Sequence, residues 1–281
     1  MIIQTLGPNF NLGVALIMFL VWIGIIGAAL YLTLSRKMNQ KYAWILLALS
    51  VILGGILLGG IPNAVMPIQQ VLMTITGNSP VMALIPMILI LSLLLVSTLF
   101  IGRLFCGYAC PLGAAQELLS KIKFKSNVKE QNKVEKLLKP PQKSALIVRW
   151  VFFAVAIVLT ILWGIAVLQL INPFLGFQLF TNPQLPAILI PLISLIVVLV
   201  SSVFIYRPWC RFFCPFGAIA SLTSRFSRYK YRRTEDCTEC GLCEQICPTE
   251  EAFDDSSKGE CYYCNRCVDV CPQDAIVLKK E

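Results

Sequence analysis

Apolar residues in this chain come in long unbroken blocks, with no period-two alternation and no single helical stripe. Five blocks are long enough to cross a bilayer as helices, at roughly 13–35, 43–60, 81–102, 146–170 and 187–206. The second is the shortest and is rich in glycine. All 24 Lys and Arg residues fall in 36–41, 103–149, 207–233 and the C-terminal stretch, whereas 1–12, 61–80 and 171–186 carry no charge. With five spans, every basic stretch falls on one side. Lys/Arg excess marks the cytoplasmic side, so the N-terminus is expected outside and the C-terminus inside, in a multi-pass inner-membrane protein. No basic region precedes 13–35 and Arg36-Lys37 follows it, so it reads as a retained span and not as a secretory signal.

The pattern repeats. Span, uncharged loop, span, Arg103, Cys106-x3-Cys110-Pro111, Gly113-Ala114, Leu118, Ser120 returns as span, uncharged loop, span, Arg207, Cys210-x3-Cys214-Pro215, Gly217-Ala218, Leu222, Ser224. Every matched residue lies at one offset, without a gap. Two hairpins of the same sense predict a parallel repeat about an axis near the membrane normal. The chain divides into an N-terminal helix and short loop (1–42), a first hairpin (43–121), a basic cytoplasmic linker (122–145), a second hairpin (146–225) and a C-terminal domain (226–281).

Composition agrees with the pattern: 57% of residues are hydrophobic, 14% are charged and none is histidine. The net charge of +9 follows from positive-inside topology and gives no reason to expect a nucleic-acid partner. Eight of the basic residues crowd into 121–143, which reads as a solvated helix and loop near anionic headgroups or as a docking site for an acidic redox partner. The uncharged loops are rich in Pro and Asn. They read as ordinary turns, as re-entrant turns packed on protein, or as surfaces covered by another subunit.

Twelve cysteines stand at ligand spacing, which suits a reducing compartment. Cys237-x2-Cys240-x2-Cys243-x3-Cys247-Pro248 is followed by Cys261-x2-Cys264-x2-Cys267-x3-Cys271-Pro272, the run of bacterial two-cluster ferredoxins written twice. The last cysteine of each such run crosses to the other cluster. Cys237, Cys240, Cys243 and Cys271 are therefore expected to hold one 4Fe–4S cluster, and Cys261, Cys264, Cys267 and Cys247 the second. Zinc is the competing reading, but it does not need three-plus-one ligation with Cys-Pro twice over. The closing AIVLKKE predicts a strand.

The paired motifs are more open. Cysteines at i and i+4 share a helix face, and the proline after the second favours a break or a new helix start. The repeat would bring Cys106, Cys110, Cys210 and Cys214 together at the cytoplasmic surface, giving the ligand count of a third 4Fe–4S cluster. A thiol–disulfide pair or transient metal site is the second reading. Structural cysteines are the third. The nearby Arg103, Arg207 and Arg211 fit each.

FCGYACPLGAAQE and WCRFFCPFGA at span ends, followed by a two-cluster ferredoxin tail, resemble the NapH/NosR-type membrane iron–sulfur proteins over residues 43–281. The resemblance implies an electron-transferring membrane subunit that works between the quinone pool or a ferredoxin and a partner redox protein, with all twelve cysteines as ligands. Two departures stand out: nothing here corresponds to the flavin-bearing outer domain of NosR-type proteins, and the first span is additional to the NapH-type layout.

The expected protein is thus an α-helical integral membrane protein of about five transmembrane helices, with two repeated hairpins and an α+β two-cluster ferredoxin domain. Its partners would be the lipid bilayer, redox subunits or a soluble ferredoxin-like protein, and conceivably quinone. Haem b is not expected without histidine, and no residue stands out as an acid, base or nucleophile. The rival function is a factor that uses thiols and clusters to reduce a metal or disulfide during assembly of a respiratory metalloenzyme.

Overall fold

A computed structural model describes residues 12–77, 84–121 and 138–280. Most of the basic stretch 121–143 lies outside the described residues, as do 1–11 and 78–83. The chain is mostly helical. In order, α1 is Leu12–Leu34, α2 is Gln40–Leu49 continuing as π-helix Ser50–Leu57, α3 is Val65–Ile75 and α4 is Leu84–Ile101. A π-turn, Phe105–Ala109, leads into α5, Pro111–Lys121. The second half has α6 (Gln142–Trp163), α7 (Val167–Leu170), a 3-10 stretch Pro173–Phe180, α8 (Leu185–Ser201), α9 (Pro208–Phe212) and α10 (Pro215–Ser224). The C-terminal domain adds β1 (Tyr229–Arg233), α11 (Leu242–Ile246), α12 (Arg266–Asp269) and β2 (Ile276–Lys280).

Three helical stretches are long and apolar enough to cross a membrane: Gln40–Leu57, Leu84–Ile101 and Gln142–Trp163. Leu20–Leu34 and Pro186–Ser201 are shorter apolar helices. The block expected to span 146–170 breaks at Gly164, whose φ of 66° ends the helix and leaves α7 separate. Ile88, Leu89, Leu93 and Val96 on α4 stay exposed, an apolar face that water would not favour.

Parts of both uncharged loops are buried against protein. Val65, Ile68 and Gln69 of α3 are buried, as are Phe174 and Phe177 of the 3-10 stretch. Small residues permit the close approach: a Cβ on Gly55 would sit 2.9 Å from the Phe177 ring, and one on Gly60 would sit 2.3 Å from the Phe174 carbonyl oxygen.

The cysteine pairs also sit deeper than the sequence suggests. A Cβ on Gly54, near the far end of Gln40–Leu57, would touch Pro111 at 3.3 Å. Fourteen residues of helix from Gln40 put Gly54 about 20 Å along it. At the other end of α5, Lys121 and Gln40 both act on Asp269. So α5 runs back along α2, and the Cys110-Pro111 end lies well inside the bundle. The Phe105 ring meets Trp22 of α1 at 5.8 Å and Phe216 of the other repeat at 6.0 Å. The four thiols expected together at one surface are buried in protein, where Gly113-Ala114-Ala115 and Gly217-Ala218 let the returning helices pack closely.

The C-terminal domain is closed by the antiparallel pair β1–β2, from Tyr229 opposite Lys280 to Arg233 opposite Ile276. Its two halves repeat at the spacing that separates Cys237 from Cys261. Glu239 and Tyr263, Gly241 and Asn265, and Glu250 and Asp274 all have positive φ at matched positions.

Candidate iron–sulfur sites

Two cavities open in the C-terminal domain. One is lined by Cys247, Cys261, Cys264 and Cys267, the other by Cys237, Cys240, Cys243 and Cys271. Each wall therefore combines three cysteines of one run with the last cysteine of the other. The larger encloses about 600 Å³ of empty space, counting its open mouth. Cys247 and Cys271 each cap the turn that follows them, their Sγ atoms accepting from Glu251 N and Ala275 N, both at 3.3 Å. Zinc needs four thiolates around one point at about 2.3 Å. A cubane takes one cysteine at each of four separate corners, which a cysteine-walled cavity provides.

Cys106, Cys110, Cys210 and Cys214 are all buried, and the charges of the other three all act on Cys110. The pairs do not share one helix face as expected. Cys106 lies in the π-turn and Cys210 in α9, while Cys110 and Cys214 are extended residues that open α5 and α10. Proline at the next position starts each new helix. Cys110 Sγ accepts from Gly113 N at 3.5 Å and Cys214 Sγ from Gly217 N at 3.3 Å. Two helix N-termini thus present backbone N–H groups to two sulfurs, which favours thiolate. Gln116 Nε2 reaches Cys210 Sγ at 3.4 Å while its Oε1 accepts from Trp209 N.

Arginines cross between the repeats. Arg207 donates to the carbonyl oxygens of Cys106 and Gly107 and lies against Gly113. Arg103 in turn lies against Gly217, its Nη2 3.1 Å from where a Cβ would be. Arg149 donates to the Cys210 carbonyl oxygen at 3.2 Å. Two buried carboxylates tie these cations to the rest of the molecule. Glu260 of the C-terminal domain pairs with Arg103 and Arg149. Glu117 of α5 pairs with Arg207 and with Arg266 of the C-terminal domain. Burial raises the Glu117 pKa, but the charges of Arg266 and Arg207 outweigh it and hold the group at about 2.

Buried guanidiniums outnumber buried carboxylates here. Among the described residues, Arg103, Arg149 and Arg207 act on the paired cysteines and share two buried carboxylates, Glu117 and Glu260. Nε and Nη2 of Arg103 make no hydrogen bond of good geometry within the described residues, and the guanidinium lies beside the Cys106 thiol. Unbalanced buried charge is costly, so the site calls for an anion. Four thiolates around an iron–sulfur cage are anionic, and the donor set fits that group.

The sequence reading left out Glu117, Glu260, Arg149, Gln116, Tyr262 and Arg266. Arg149 carried a signal, being the one charge inside the apolar block 146–170. Tyr262 and Arg266 carried another: at the matched positions of the first half stand Thr238 and Leu242, whereas Glu260 is matched by another carboxylate, Asp236.

The Fer4_5 family, described as a 4Fe-4S binding domain, matches residues 83–129 and 187–234, which contain the two Cys-x3-Cys-Pro pairs. The Fer4 family, also described as a 4Fe-4S binding domain, matches 231–250 and 257–277. The chain is 33% identical over 145 residues to an uncharacterized protein of Methanocaldococcus jannaschii, covering 52% of this chain and 58% of that one. It is 28% identical over 159 residues to the methylamine utilization ferredoxin-type protein MauN of Paracoccus denitrificans, covering 55% and 51%. Against the regulatory protein NosR of Stutzerimonas stutzeri it is 28% identical over 171 residues, covering 56% of this chain and 22% of NosR. The chain thus spans about half the length, or less, of these relatives. No solved structure matches it.

Proposed function

From a ferredoxin-type chain that carries both kinds of 4Fe-4S binding domain and resembles the NapH/NosR-type membrane iron–sulfur proteins, we propose a membrane-anchored electron relay with three 4Fe–4S centres. Cys237, Cys240, Cys243 and Cys271 hold the first, and Cys261, Cys264, Cys267 and Cys247 the second. Cys106, Cys110, Cys210 and Cys214 hold the third, inside a bundle of five spans whose ferredoxin domain faces the cytoplasm. Bound clusters supply one-electron redox chemistry. The chain's own residues set the order of the centres. Cys240 is exposed at one cavity, the Cys261 run abuts the bundle through the Tyr262 carbonyl at Gly107, and Cys106, Cys110, Cys210 and Cys214 are all buried.

One observation carries this reading: the surplus of buried guanidinium around four buried thiols. The same burial weighs against the rival, in which those thiols reduce a metal ion or disulfide. A thiol that exchanges must be reachable and ionised. All four thiols here are buried. The relay's partners are a one-electron donor at the Cys240 face and quinone or a redox subunit in or across the membrane.

The test uses the anaerobically purified full chain in lipid nanodiscs, reduced with dithionite and mixed with a quinone analogue. Reoxidation of all three centres supports the relay. Stoichiometric reduction of added copper with no response to quinone would favour the rival.

A further inference from the structure

Tyr262 sits at the junction of the two metal-binding regions. Its backbone follows Cys261, which lines the larger cavity, and Tyr262 lines that cavity as well. Its carbonyl oxygen packs on the backbone of Gly107, between Cys106 and Cys110; a Cβ there would come within 2.4 Å of it. The ring lies between the two exchanged arginines, 4.2 Å from the Arg103 guanidinium and 4.7 Å from that of Arg207. The phenol is buried and has no hydrogen-bond partner, and the Cys210 charge acts on it.

The repeats differ at this point. Where the first has Gly107, the second has Arg211, which turns away to the Pro140 carbonyl oxygen and Gln142. Only the first repeat leaves room for the Tyr262 backbone. In the first half of the ferredoxin domain the matched residue is the exposed Thr238. Both internal symmetries are therefore broken where the two regions meet. A buried hydroxyl seldom goes without a partner, and the sulfur of an ionised four-cysteine centre is the acceptor this one lacks.

We infer that Tyr262 couples the two regions: its main chain belongs to the cysteine run of the larger cavity, and its phenol donates a hydrogen bond to sulfur at the four-cysteine centre. This rests on the reading that Cys106, Cys110, Cys210 and Cys214 hold a 4Fe–4S cluster. Donation to sulfur stabilises the more negative, reduced state, so the hydroxyl raises the potential of that centre. Clusters held at the two sites would supply one-electron exchange between them, with the phenol keeping its proton.

The experiment is a potentiometric titration by electron paramagnetic resonance on the full chain, with iron counted per chain. Tyr262→Phe keeps the ring and is expected to retain full iron. Its four-cysteine centre should titrate at lower potential, with the ferredoxin pair unmoved. Tyr262→Leu, which also loses the ring, should slow electron arrival there about 10-fold or more, the usual scale for losing a group that supports a metal site. A Tyr262→Phe chain with full iron and an unshifted potential overturns this inference alone. Wild-type chain with about eight irons, four for each of two cubanes, and no third signal defeats the underlying reading as well. If Tyr262→Phe loads poorly, Gly107→Ala displaces the Tyr262 carbonyl instead; it should shift the same centre in the same sense, and no shift overturns the inference.

Discussion

Arg207 Nη1 donates to the carbonyl oxygen of Cys106 at 2.5 Å, so an arginine of the second repeat holds the cysteine turn of the first. Its Nε pairs with Glu117 at 2.9 Å and its Nη2 reaches the Gly107 carbonyl oxygen at 3.0 Å. One guanidinium thus fixes a cysteine turn, a helix and, through Glu117, the seat of the C-terminal domain. The repeats cannot separate without losing all three contacts.

Replacing Arg207 with Gln should cost about 3–5 kcal/mol, the usual loss when one partner of a buried pair is removed. Lysine restores the charge but not the three-way fork, so Arg207→Lys should recover only part of that loss. Guanidinium chloride unfolding in detergent would measure both. Equal stability of all three chains would contradict the role given to the fork.

Glu117 should stay ionised far into acid. Its carboxyl sits at about 2 in the folded chain against an ordinary 4.5. A lowered folded pKa contributes stability that is present above about 4.5 and is lost as pH falls toward 2. The difference is on the order of 3 kcal/mol. In infrared difference spectra of wild type against Glu117→Gln, the carboxylate band should persist at about pH 3, where exposed carboxyls are largely protonated. A band already lost at about pH 3 would refute the pairing.

Two glycines should prove intolerant of a methyl group. A Cβ at Gly113 would lie 2.5 Å from the Cys106 carbonyl oxygen, and one at Gly217 would lie 2.9 Å from that of Cys210. Backbone must give way in each case. Gly113→Ala should therefore lose iron from the four-cysteine centre, and Gly217→Ala should do so less severely. Iron analysis and the resonance signal of that centre would show the order; full loading of Gly113→Ala would contradict it.

Much of this architecture can be read in the sequence, because cluster ligation and lipid each impose strong patterns. The spacing of Cys237 to Cys271 anticipates which four cysteines wall each cavity, and the 43–121 and 146–225 repeat anticipates the matched Cys–Gly contacts. Depth is less legible. Nothing in FCGYACPLGAAQE marks the turn as inward until Pro111 is seen against Gly54. The docking contacts are harder still, since Glu117, Glu260 and Arg266 meet partners remote in sequence. Only the departure of Tyr262 and Arg266 from their first-half counterparts hints at a face that the first half lacks.

Four buried thiols ringed by surplus guanidinium are the centre of this account. Iron and acid-labile sulfide should be counted in anaerobic full-length chain, with Cys106→Ser/Cys210→Ser beside it. The account predicts about twelve irons for the wild type, four per cubane, and a loss of about four in the double variant with the ferredoxin signals intact. About eight irons in both chains would contradict it.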